Sequence, residues 1–113
     1  MEITHAADGR ATGRLPLREE MCFDAGETPV LHGAVSFALA DNVGAAAVMS
    51  NFETPQPAFT IDMRIDYLQA ATTDLTARAE VLRHGSVVSV ADVVVEDEHG
   101  EAVVAARGTY RSA

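Results

Sequence analysis

The residue best equipped for chemistry is Asp41. It lies within residues 32–50, HGAVSFALADNVGAAAVMS, where the polar side chains after His32 are Ser36, Asn42 and a terminal Ser50. An ionised carboxylate withdrawn from water without partners costs several kcal/mol. A small fold keeps such a group only beside water, a hydrogen-bond donor or a substrate. A carboxylate so placed can act as a base or a nucleophile, which makes Asp41 the first functional candidate. His32 stands at the start of the run, where it can fix the helix entrance or serve as a general base; the structural role is the simpler one. Asn42, next to Asp41, is placed to contact a partner subunit. Cys22 is the only cysteine, and no base is evident to activate it, so it is expected to be an inert core thiol. His5, His84 and His99 lack metal-ligand spacing, and no metal site is expected.

These residues need a helix to hold them. The run has no polar face, and a helix that is apolar all round is buried all round. Pro29 disfavours helix immediately before it, so the helix is expected to begin near His32-Gly33 and to end about Ser50-Asn51. Ahead of it, Asp8-Gly9 predicts a hairpin turn between residues 1–5 and 11–18. Residues 19–31, with Gly26 and Pro29, read as a loop. Residues 52–57 form a connection with two prolines. From Ala58 to Leu68 the pattern alternates strictly, with Phe59, Ile61, Met63, Ile65 and Tyr67 on one side and Thr60, Asp62, Arg64 and Asp66 on the other. That is the mark of a half-buried strand. Residues 75–83, 86–96 and 101–111 read as three further strands, with turns at His84-Gly85-Ser86 and Asp97-Glu98-His99-Gly100. A hairpin, one long helix and a run of strands define an α+β fold with an antiparallel sheet. One small sheet cannot enclose a helix about 27 Å long on every side. Part of that helix must meet something else, most simply a second copy of the chain.

At 113 residues the chain is expected to form a single domain over residues 1–113. Asp41 and Asn42 interrupt the one long apolar run, so no membrane-spanning helix is expected. The N-terminus lacks a basic-then-apolar signal pattern. A single cysteine excludes an internal disulfide and suits a reducing cytoplasm. The net charge is −9, from 17 acidic residues against 8 basic ones, all arginine. Nucleic acid is not an expected partner, because phosphate binding needs clustered cations. The acidic, lysine-free balance fits either a salt-rich cytoplasm, where screening lengths shrink to a few ångström, or a GC-rich genome.

Taken together, VLHGAVSFALADNVGAAAV, FTIDMRIDYLQAA, ARAEVLRHG and the closing ARGTY resemble the hotdog-fold acyl-CoA thioesterases, in particular the PaaI-type branch and that of mammalian acyl-CoA thioesterase thirteen. The resemblance covers residues 27–112. It implies a curved antiparallel sheet wrapped around one long central helix. It also implies a homodimer with a continuous sheet, active sites at the dimer interface, and pairing of dimers into a homotetramer. The implied reaction is hydrolysis of an acyl- or aryl-CoA thioester to free acid and coenzyme A. Carried over by position, Asp41 is the nucleophile or general base, the Gly33 backbone amide polarises the thioester carbonyl, and Thr60 orients the attacking water. Arg83, His84, Gly85, Ser86 and Arg107, with Arg111 nearby, are the expected coenzyme A contacts. No cofactor is implied, since coenzyme A enters as part of the substrate.

These assignments have a chemical rationale. Thioester hydrolysis needs a base or nucleophile and a donor for the developing oxyanion. Gly33 stands at a helix N-terminus, where N–H groups lack intrahelical partners and the dipole favours negative charge. The chain also departs from the family pattern. Gly26 occupies the position, six before the histidine, where many relatives carry Asn or Gln. Ala34 replaces the second glycine of the usual His-Gly-Gly, and Ser86 replaces the arginine that follows the turn glycine. Gly26 keeps open a second reading, a non-catalytic acyl-CoA-binding hotdog domain. A hydratase or dehydratase of the same fold is disfavoured, because Ala46 occupies both positions where those enzymes carry their second catalytic group.

Overall fold

The computed structural model describes residues 1–54 and 56–112. The opening hairpin pairs β1 (Glu2–Ala7) with β2 (Arg10–Leu15). Asp8 and Gly9 between them take φ of 53° and 79°, the backbone of a two-residue type I′ turn. β2 stops at Leu15, so residues 16–18 fall outside the expected hairpin. Residues 19–31 are more ordered than a loop. A 3-10 turn at Glu19–Met21 leads into a short ribbon of β3 (Cys22–Asp24) against β4 (Pro29–Leu31). Between these strands Gly26 has φ of 101°, a conformation open to glycine and costly for other residues.

The helix α1 (Gly33–Met49) follows directly. Then come β5 (Ala58–Tyr67), β6 (Leu75–Arg83), β7 (Val88–Glu96) and β8 (Ala102–Ser112), within two residues of the expected limits. Among the described residues, six strands form one sheet in the order β1-β2-β6-β7-β8-β5. Every neighbouring pair is antiparallel. The helix therefore carries the chain from the hairpin side to the far edge, and β5 has a free side. Leu75, Ala77 and Ala79 of β6 and Val93 and Val95 of β7 turn inward against Leu39 and Val43 of the helix. Each fully buried Leu or Val contributes about 1.5–3 kcal/mol. The many alanines let helix and sheet approach closely. The outcome is the expected α+β architecture of one helix against a large antiparallel sheet.

As expected of one small sheet, the single chain does not cover the helix on every side. Ala34, Asn42 and Met49 are exposed, and Phe37, Ala38, Asp41 and Ala45 are half-buried. Their spacing of three and four residues makes one open stripe along the helix, because a single curved sheet covers only the remainder. One expectation needs correction, and it concerns β5. Thr60 lies opposite Tyr110, and Asp62 lies opposite Thr109, so Ile61 is an extra residue in a β-bulge. One inserted residue reverses the alternation beyond it. Thr60 thereby joins Met63 and Ile65 on the helix side, and Phe59 turns to the outer face opposite Arg111. Phe59 and Ile61 are 56% and 57% exposed, so this end of β5 is not half-buried in the single chain.

Candidate active site

Asp41 lies on the border between the buried face of α1 and its open stripe. The hydroxyl of Thr60 donates to Asp41 Oδ1 at 2.7 Å. A hydrogen bond to an ionised acceptor is roughly twice as strong as a neutral one, and a carboxylate has lone pairs to spare after accepting it. The contact exists because the bulge at Ile61 brings Thr60 inward. The main-chain carbonyl of Asp41 accepts a second bond, from the hydroxyl of Tyr110 at 3.2 Å. Tyr110 is fully buried. Burial, and then the negative charge of Asp41, push its phenol well above the ordinary range, so it stays a neutral donor. Sequence reasoning did not single out Tyr110. The available signal was the spacing in RGTY, which puts a glycine and a large ring two residues apart on the same face of a strand.

A second group of residues gathers at the helix N-terminus. His32 occupies the cap position, and its side chain makes no capping bond. Its ring packs against Phe23 instead, with centroids 5.2 Å apart, while its carbonyl accepts the Val35 N–H at 3.0 Å. Gly33 is the first helical residue, so its N–H has no intrahelical acceptor. The Gly33 carbonyl accepts the Tyr67 hydroxyl at 2.9 Å and the Ser36 hydroxyl at 3.1 Å. The Tyr67 ring is so close that a Cβ at Gly33 would lie 3.0 Å from it. Beside them opens a cavity of about 270 Å³, walled by Phe23, Leu31, Tyr67 and Val104 with Ser36 and Gln69 at its polar side.

Eight residues of α-helix separate Gly33 from Asp41, about 12 Å along the axis. One chain therefore brings Asp41 and Thr60 together but holds Gly33 and His32 apart from them. The expected coenzyme A contacts also divide. Arg83 ends β6 and His84, Gly85 and Ser86 lie in the turn to β7, where His84 packs edge-on against Phe52 at 4.9 Å and the Gly85 N–H donates to Ser89 Oγ at 3.1 Å. Arg107 lies on the outer face of the sheet, in register with Asp92 and Arg64, and donates to both carboxylate oxygens of Asp92 at 2.6 and 3.0 Å. Asn42 bonds back to the Ala38 carbonyl of its own helix at 2.8 Å. Cys22 is half-buried and its thiol donates to the Arg18 carbonyl. Among the described residues, no group of three or more His, Cys, Asp or Glu side chains is placed to hold a metal ion. Among the same residues, no helix is long and apolar enough to cross a membrane.

One long helix against a large antiparallel sheet is the architecture of the hotdog thioesterases. Residues 28–104 match the Thioesterase superfamily, and the chain belongs to that family. It is 33% identical over 119 residues to a Halobacterium salinarum protein provisionally named an esterase, covering 98% of this chain and 79% of that one. Among solved structures, it is similar to the Escherichia coli PaaI protein of the phenylacetic acid degradation operon. The TM-score is 0.83 and the identity 25%, over 94% of this chain and 74% of that one. The same fold occurs in a hypothetical thioesterase of Streptococcus pneumoniae TIGR4, solved with coenzyme A, at a TM-score of 0.87 and 24% identity over 99% of this chain and 84% of that one. Family and fold together mark the protein as a hydrolase of the thioesterase type.

Proposed function

We propose that the protein hydrolyses acyl-CoA thioesters at a site shared between two copies of the chain. The observation that carries this reading is Asp41, bonded to Thr60 at 2.7 Å on the open stripe of α1. In the proposed reaction Asp41 attacks the thioester carbonyl carbon, or takes the proton of a water that does. The carbonyl oxygen becomes an oxyanion, the C–S bond breaks, and coenzyme A leaves as the thiolate. In the base route the thiolate takes the proton that Asp41 removed from water; in the nucleophilic route it is protonated from water, and a further water hydrolyses the acyl anhydride on Asp41 to release the acid and restore the carboxylate. The oxyanion needs a donor within about 3 Å, and Gly33 of the same chain is about 12 Å along the helix. A second copy supplies that donor.

Two features favour such pairing. The open helix stripe is largely apolar, and among the described residues β5 has an unpaired edge, with Phe59, Ile61 and Tyr67 exposed along it and Leu68 just beyond. A long exposed edge strand is a template for pairing with another chain, and the apolar stripe beside it favours burial against a partner. The likeness to a protein solved with coenzyme A supports a CoA-linked substrate; the family resemblance puts its contacts at Arg83, His84, Gly85, Ser86 and Arg107. Gly26, at φ of 101° where relatives carry Asn or Gln, favours a second reading, an acyl-CoA-binding domain without turnover.

The test is thiol release from a panel of aryl- and fatty acyl-CoA thioesters. Asp41→Asn is expected to lower turnover at least about a hundredfold. Complementation tests the shared site. Gly33→Pro removes the N–H at a helix position that tolerates proline, and the Tyr67 ring, half exposed, can swing clear. Each variant alone is expected to be nearly inactive, and mixing them under exchange conditions restores turnover. No restoration would place both groups on one chain. No turnover by the unaltered protein, with coenzyme A still bound, would establish the binding-domain reading.

A further inference from the structure

We propose that Tyr110 is a positioning residue for Asp41, holding the residue's main-chain carbonyl while its cross-strand neighbour Thr60 holds the carboxylate. The inference rests on the thioesterase reading of Asp41. Thr60 and Tyr110 lie directly opposite one another on β5 and β8. Their hydroxyls reach the two ends of the same residue, Oδ1 at 2.7 Å and the main-chain oxygen at 3.2 Å. The Thr60 bond restrains the rotation about the Asp41 Cα–Cβ bond, and the Tyr110 bond fixes where the helix backbone that carries Asp41 sits over β8, so that together they set the direction in which the carboxylate faces a substrate.

A packing role alone accounts poorly for this hydroxyl. Phenylalanine would fill the same space without burying a polar group, and a buried hydroxyl is tolerated only with a partner. The helix does not need the bond, because within an α-helix the Asp41 carbonyl already serves the amide four residues on. The chain also makes room for the ring at two places. A Cβ at Gly108 would come to 2.6 Å from it, and a Cβ at Gly44, three residues after Asp41, would collide with the hydroxyl itself. Glycine weakens a helix interior relative to alanine, so the space at Gly44 has a cost in local stability that the Tyr110 contact explains.

The test compares unaltered protein, Tyr110→Phe, Thr60→Val and the double variant in acyl-CoA hydrolysis, with thermal melting alongside. Tyr110→Phe is expected to lower kcat about tenfold, leave KM within about twofold and leave the melting temperature nearly unchanged, as a misaimed reacting group does. The double variant is expected to lose little more than either single one, since both act through Asp41. Equal kcat for Tyr110→Phe and unaltered protein would overturn the inference alone. So would a fall in kcat that tracks a lowered melting temperature and multiplies freely with Thr60→Val, the behaviour of a packing residue. No turnover by the unaltered protein would overturn the thioesterase reading and this inference with it.

Discussion

Asp41 and Asp74 illustrate two uses of a carboxylate in one small chain. Asp41 is held by a threonine hydroxyl at the edge of the proposed site. Asp74 is structural. Its carboxylate accepts the Leu17 N–H at 2.7 Å and Arg14 at 3.0 Å, tying the chain after β2 to the start of β6. The Leu17 amide, and then Arg14, hold the Asp74 carboxyl below its ordinary range. On unfolding it returns to an ordinary carboxylate. Its contribution is therefore complete above the ordinary carboxylate range and is lost as pH falls through the lowered folded value. Asp74→Asn removes that term. The gap in melting temperature between unaltered protein and variant is expected to narrow on acidification from about pH 6 to about pH 2. A gap that stays constant across that range would show that the Asp74 charge does not contribute.

At the scale of elements, β5 is the piece on which the proposed activity turns. Its bulge aims Thr60 at the helix, and its outer edge is free to pair. A lysine on an exposed edge discourages strand addition. Ile61→Lys, at an exposed position, is expected to shift the protein toward monomer in sedimentation and to lower turnover at least about tenfold, with the circular dichroism of the chain preserved. An active monomer would contradict a shared site. The β6–β7 turn depends on one glycine, because a Cβ at Gly85 would run into the Val88 carbonyl. Gly85→Ala is expected to lower the melting temperature by several degrees, roughly the effect of about 1 kcal/mol in a domain of this size.

For the whole molecule, charge is the governing quantity. Each copy carries −9, so pairing two copies brings like charge together. The screening length falls from about 10 Å at 0.1 M salt to about 3 Å at 1 M. Self-association and thermal stability are therefore both expected to rise over that range. Sedimentation and melting at several salt concentrations test this. Association that weakens with salt would instead mean that specific ion pairs hold the interface.

The linear sequence determined the features that depend on neighbouring residues. One carboxylate in an apolar run marked Asp41, Asp-Gly marked the first turn, and alternation marked the strands, because helix and strand periods are local properties. Tertiary structure decided where local patterns compete with pairing. Alternation alone put Thr60 on the side away from Met63, and pairing with β8 inserted the bulge that turned it back toward Asp41. The length of the helix already meant that a single sheet cannot surround it, and only the folded chain decided that the open stripe runs along Ala34, Phe37, Ala38, Asp41 and Ala45. Tyr110 stands 69 residues from Asp41. Only the register that places it opposite Thr60, beneath the helix, brings its hydroxyl to the Asp41 carbonyl.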